Sequence, residues 1–148
     1  MNLRIGEPSA LRASGYYNGF GPKERTGVLA ALKVAMATGA IARPTHCSAC
    51  GNRTSKPLDW HSEDYRRPLD AFPICTRCHY ALHIRFHRPA YWQRYISCLD
   101  PVVWCQYLTV DPLSLRRPFD ETYPEGLPGR RAVVRETQLC QALIGSEA

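Results

Sequence analysis

Two cysteine pairs, Cys47-Ser48-Ala49-Cys50 and Cys75-Thr76-Arg77-Cys78, are separated by 24 residues, and Gly51 follows the first. Each C-x-x-C knuckle can set two thiolates on one cation at about 2.3 Å, and two knuckles complete the closed sulfur tetrahedron of a structural zinc site. A lone C-x-x-C is compatible with redox chemistry, whereas two at this distance point to Zn2+. Directly after the second knuckle come His79 and His83, four residues apart. At the start of a helix they project from one face and can hold one cation, with Cys78 anchoring that helix end to zinc. Between the knuckles the run L-D-W-H-S-E-D-Y carries His61, flanked by Asp59, Glu63 and Asp64. Cys98, Cys105 and Cys140 lack partner spacing and read as small buried hydrophobes.

The elements that must position these residues are legible in outline. Short strands are expected over Leu58–His61 and Ala71–Ile74, feeding a helix from Thr76 to about Phe86. Pro22 opens a helix to about residue 38 with Val28, Leu29, Leu32, Ala35 and Met36 on one stripe and Gly39 beyond its end. After Pro89 a helix with Tyr91, Trp92, Tyr95 and Ile96 on one face runs to about 99, and burial accounts for that face better than base stacking. Asp100-Pro101 opens a third, over about 101–108. Glycines break residues 1–21 into an irregular N-terminal arm, and prolines and glycines loosen residues 111–148, with a terminal helix over 130–144. Three regions result: the arm, a zinc-stapled unit over 22–110, and the C-terminal extension.

The 148 residues suit one domain, with 45% hydrophobic and 22% charged residues and a net charge of +6. No apolar run approaches the roughly 18 residues of a membrane span. The first residues lack the apolar stretch of about 7–15 residues that a secretory signal carries, so a cytoplasmic location and reduced cysteines are expected. Sixteen of the nineteen basic residues are arginine. Guanidinium groups bind phosphate bidentately, which makes nucleic acid a reasonable partner without deciding the matter.

The combined run, C-x-x-C-G, then L-D-W-H-S-E-D-Y-x-x-P-L, then I-C-x-x-C-H-x-x-L-H-x-R-F, resembles zinc-containing HNH endonucleases, notably a subgroup common in phages and restriction systems. It covers about a quarter of the chain. The resemblance implies a small α+β fold with a ββα-metal core on a four-cysteine structural zinc (Cys47, Cys50, Cys75 and Cys78), wrapped by the flanking helices. It implies a hydrolase, a metal-dependent endonuclease acting on DNA, with His79 and His83 as metal and phosphate residues facing His61 on the hairpin. A neutral imidazole can take a proton from water while Mg2+, Mn2+ or another divalent cation stabilises charge on the phosphate.

Two departures bear on the roles. Ser62 stands where many relatives have a second histidine, and no Asn occupies the position behind the family's middle letter. The preferred assignment has His61 as general base and Asp64 as metal ligand or orienting carboxylate, with Asp59 as an alternative carboxylate. If His61 is instead a ligand, Glu63 or Asp64 must act as base. Arg66, Arg67, Arg77, Arg85 and Arg88 surround the motif in sequence and are expected to clamp backbone phosphates of duplex DNA. The rival expectations are a catalytically inactive zinc module that only binds nucleic acid, and a subunit of a phage packaging or restriction assembly that needs its partner. A homodimer would supply two active sites for two strands, although no residue pattern calls for one.

Overall fold

A computed structural model of the chain describes residues 15–99 and 103–127. Pro22 pre-sets a helical φ at no cost in hydrogen bonding, and α1 runs Pro22–Ala37. Glu24 accepts the Gly21 N–H at 2.7 Å, steadying the first turn. Val28, Leu32 and Ala35 are its buried stripe, with Leu29 and Met36 half-buried at its margins. Gly39, at φ +76°, turns the chain away beyond the last helical residues.

β1 (Asp59–His61) pairs antiparallel with β2 (Phe72–Ile74), within a residue of the expected strands, with Asp59 opposite Ile74 and His61 opposite Phe72. Alternation therefore puts Asp59 and His61 on one face. Pro73 is tolerated because a two-stranded sheet has only edges, and its carbonyl accepts both the Ser48 N–H (2.8 Å) and the Ser48 hydroxyl (2.7 Å). The first knuckle is thereby sewn to the hairpin.

α2 (Thr76–His83) follows at once and passes into a 3-10 turn, Ile84–Phe86, where one continuous helix was expected. Pro89 is the cause: the residue before a proline avoids the helical region, and Arg88 sits at φ −137°, ψ 66°. α3 spans Pro89–Ser97 and buries Trp92 and Ile96. The helix expected over 101–108 is a single 3-10 turn, Trp104–Tyr107, with Val103 extended before it. Val103, Trp104, Cys105 and Leu108 all lie in the core; an α-helix would spread them over roughly 200° of arc, more than one face can bury.

Residues 111–127 carry short helical elements. Asp111 caps a 3-10 turn at Pro112–Leu115 by accepting the Leu113 N–H at 2.9 Å, and α4 (Phe119–Thr122) follows. Phe119 and Tyr123 join the same core as Ile74, Leu82 and Trp92. Residues 15–21 of the arm pack on it as well, through Phe20. Tyr17 and Phe20 exchange backbone hydrogen bonds (3.1 and 3.0 Å) around Asn18 and Gly19, both at positive φ (50° and 80°), which is a tight hairpin turn. Among the described residues, aromatic side chains on both sides of positions 21 and 110 thus share one core. The terminal helix expected over 130–144 lies outside the described residues, as does Cys140. No described helix is long and apolar enough to cross a membrane.

Candidate metal centres

The two knuckles meet. Sulfur atoms of Cys47, Cys50, Cys75 and Cys78 all lie within 4.8 Å of one another, a set that fits one tetrahedral zinc. Gly51, at φ +72°, lets the first knuckle fold back so that its N–H reaches the Cys47 carbonyl at 2.9 Å. The Cys75 N–H donates to Cys47 Sγ (3.3 Å), and Tyr95 Oη lies 2.9 Å from Cys78 Sγ. The Cys78 thiol draws the Cys47 pKa down to about 4 against the effect of burial, so one sulfur already favours the thiolate that a metal requires. Cys105 is buried as expected, whereas Cys98 is exposed just past the end of α3, where Trp92 and Ile96 take the inward positions.

A second cluster includes His79, the residue after Cys78. Donor nitrogens of His61, His79 and His83 are also within 4.8 Å of one another. Ring centroids stand 5.4 Å apart for His61 and His79, 5.2 Å for His61 and His83, and 4.6 Å for the helical pair. Two carboxylates orient the rings: Asp59 Oδ2 is 3.1 Å from His79 Nδ1, and Glu63 Oε1 is 2.7 Å from His61 Nε2. A carboxylate behind each of two histidines is the usual arrangement around a metal, since it frees the opposite nitrogen. His79 Nε2 faces His83 Nε2 at 2.9 Å, and His61 Nδ1 is buried with no protein partner. The donor set and that orphaned nitrogen together fit a metal ion.

Burial keeps His61 and His83 neutral. It pushes the His61 imidazole down to about 4 although the Glu63 carboxylate pulls the other way. Burial also holds His83 well below the usual 6.5, reinforced by His61, His79, Arg85 and Arg25. Neutral imidazoles present the lone pairs that a metal needs. Trp104 walls the site: it stacks on His61 (centroids 6.0 Å) and donates its indole N–H to Ser48 Oγ (3.3 Å), so one side chain touches the histidine cluster and the first knuckle.

Several expected roles are corrected by placement. Asp64 is not in the cluster; its carboxylate accepts from the Arg66 side chain at 2.8 and 3.0 Å, and Asp120 holds the same guanidinium. Asp59, the alternative carboxylate, is the one of the two that reaches a histidine, His79. Arg85 cannot clamp a phosphate: it is 0% exposed and donates to the Thr109 and Leu82 carbonyls and to Tyr17 Oη. Its position three residues after Leu82 turns it inward, which a linear count of arginines does not reveal. Arg67 pairs with Asp70 at 3.5 Å, and exposed Arg77 and Arg88 lie over the Tyr95 and Tyr91 rings.

Sequence reasoning missed Arg25, Tyr17 and Asn18. Arg25 of α1 lies over the Tyr17 and Tyr65 rings (5.6 and 5.7 Å), and its charge contributes to lowering His83. Tyr17 packs against His61 and His83 together (5.6 and 5.2 Å). The one local signal was Asn18-Gly19, a dipeptide that marks a two-residue hairpin.

No family model, curated protein or solved structure matches the chain.

Proposed function

We propose that the chain is a metal-dependent endonuclease of HNH type that hydrolyses phosphodiester bonds in DNA, with a ββα-metal core formed by β1, β2 and α2. The observation that carries this reading is the three-histidine cluster standing beside a complete four-cysteine set. Four protein donors make a closed structural site, whereas three leave a position for water or substrate. A divalent ion there supplies Lewis acidity, polarising a phosphoryl oxygen and acidifying a water molecule.

The roles follow from the hydrogen bonds. His61 serves as a ligand rather than the general base, because Glu63 occupies its Nε2 and its buried Nδ1 has no protein partner. His79, braced by Asp59, and His83 supply the other nitrogens. Three imidazoles with no carboxylate among them suit zinc, nickel or cobalt better than Mg2+, which favours oxygen. Arg25, Arg77 and Arg88 are the cations offered to backbone phosphates.

A second reading, a module that binds nucleic acid without cutting it, draws on Ser62, buried beside His61 and unable to replace a histidine base. Purified protein incubated with plasmid DNA and with RNA, across Zn2+, Co2+, Ni2+, Mn2+ and Mg2+ with an EDTA control, separates the two. Cleavage that EDTA abolishes and that His83→Ala lowers by at least roughly 10²-fold supports the nuclease. Binding without cleavage under every metal supports the module.

A further inference from the structure

The geometry points to Glu63 as the positioning residue of the histidine centre: it holds His61 as the Nε2–H tautomer so that Nδ1 faces the metal, and Tyr17, Asn18 and Arg85 lock it there. This rests on the reading of the three histidines as a metal site. Glu63 follows His61 by two residues, just past the end of β1, and is 1% exposed. A carboxylate so deeply buried needs a partner for each oxygen. Oε1 accepts from the Tyr17 hydroxyl at 2.5 Å and lies 2.7 Å from His61 Nε2; Oε2 accepts from Asn18 Nδ2 at 2.6 Å. Asn18 Nδ2 also donates to the Glu63 carbonyl at 2.9 Å, so the same amide fixes backbone and side chain.

Arg85 supplies the countercharge of this buried carboxylate, but it is not what aims it. Its guanidinium is 3.5 Å from Oε1, the longest of these contacts, and its shorter bond, 2.8 Å, goes to Tyr17 Oη. The carboxylate is aimed at His61 and Tyr17. Tyr17 accepts from Arg85 and gives its own proton to Glu63, so it has none left for His61 Nε2, 3.4 Å away. Were His61 the Nδ1–H tautomer, bare lone pairs of Nε2 and Oε1 would oppose each other at 2.7 Å. A proton on Nε2 removes that repulsion and leaves Nδ1 as a buried acceptor without a protein partner, which a metal would satisfy. The turn at residues 17–20, remote in sequence from the histidines, is therefore part of the site.

The test uses full-length protein with zinc in the cysteine site and 15N-labelled histidine. Long-range proton–nitrogen correlation reads the His61 tautomer, assigned by loss of its signals in His61→Gln; Co2+ absorption follows binding at the histidines. Wild type is expected as Nε2–H alone. Glu63→Gln, equal in size but able to present an amide N–H, is expected to mix the tautomers and weaken Co2+ binding by roughly 10- to 100-fold, with cysteine-site zinc unchanged. If Glu63→Gln does not fold, Tyr17→Phe serves in its place, with about a ten-fold weakening expected. An Nδ1–H His61 in wild type, or unaltered Co2+ affinity in the folded variants, overturns the inference. Nε2–H in wild type with no Co2+ uptake upholds the positioning by Glu63 and overturns the metal reading instead.

Discussion

His79 Nε2 and His83 Nε2 face each other at 2.9 Å across one turn of α2. Nitrogens that close must share a proton or an ion. On a tetrahedral ion with bonds of about 2.0–2.1 Å they sit roughly 3.3 Å apart, a change that small ring rotations supply. Zinc-saturated wild type is therefore expected to hold two ions per chain and His83→Ala one, with unchanged circular dichroism. Elemental analysis after exhaustive dialysis decides it, and two ions retained in His83→Ala would count against the site.

The cysteine set should govern folding and the histidine set should not. Structural zinc in such sites contributes on the order of 10 kcal/mol of apparent folding free energy. Cys75→Ser, which removes one sulfur where β2 meets α2, is expected to abolish the cooperative melt at room temperature and above. His79→Ala is expected to keep it. Thermal melts of the two variants beside wild type make the comparison.

The histidines also set a pH dependence whose direction follows from their shifts. Folded His61 is held near 4 and His83 well below 6.5, both chiefly by burial, whereas in the unfolded chain each takes a proton near 6.5. Below that value the unfolded chain binds more protons, so their contribution is complete above about 6.5 and is lost as pH falls toward 4. Burial would raise the Glu63 carboxyl, but Arg85, His61 and Tyr17 together hold it at about 2, so its loss begins only below the usual 4.5. Between pH 7 and 5, wild type is expected to lose more stability than His83→Gln. Parallel denaturation curves for the two proteins would contradict these assignments.

Arginines close together in sequence should behave differently. Arg77→Ala and Arg88→Ala are each expected to lower the log–log salt slope of duplex-DNA binding by about 0.9 with little change in melting temperature. Arg85→Ala leaves the buried Glu63 charge without its cation and is expected to destabilise the fold by roughly 3–5 kcal/mol. Fluorescence anisotropy between 50 and 200 mM salt, beside thermal melts, tests both; a stable Arg85→Ala with a reduced slope would reverse the roles.

Gly19 is expected to tolerate no side chain. Its φ is +80°, and an added Cβ would lie 2.8 Å from Pro118 Cα, a backbone atom that cannot simply rotate away. Gly19→Ala should cost about 1–3 kcal/mol and, by loosening the turn that carries Tyr17 and Asn18, should weaken Co2+ binding as well. A melting temperature equal to wild type would refute the tight packing of arm against extension.

Spacing alone determined each cysteine knuckle and the helical histidine pair, because ligands three or four residues apart are brought together by local backbone geometry. Strand boundaries were legible for the same reason, since alternation and the second knuckle bracket them. His61 joined the pair because it closes the short strand between the knuckles. Tertiary structure decided what surrounds these ligands. Tyr17 and Asn18 reach Glu63 across more than forty residues, and no local period carries such a contact. Arg85 was counted among surface cations because composition records charge and not direction. Residues 111–127 looked loose because proline and glycine argue against long helices, yet 3-10 turns and a single helical turn suffice to deliver Phe119 and Tyr123 to the core. Local chemistry thus prescribes the ligands, while the neighbours that orient and bury them come from distant segments whose only shared requirement is to fill the same core.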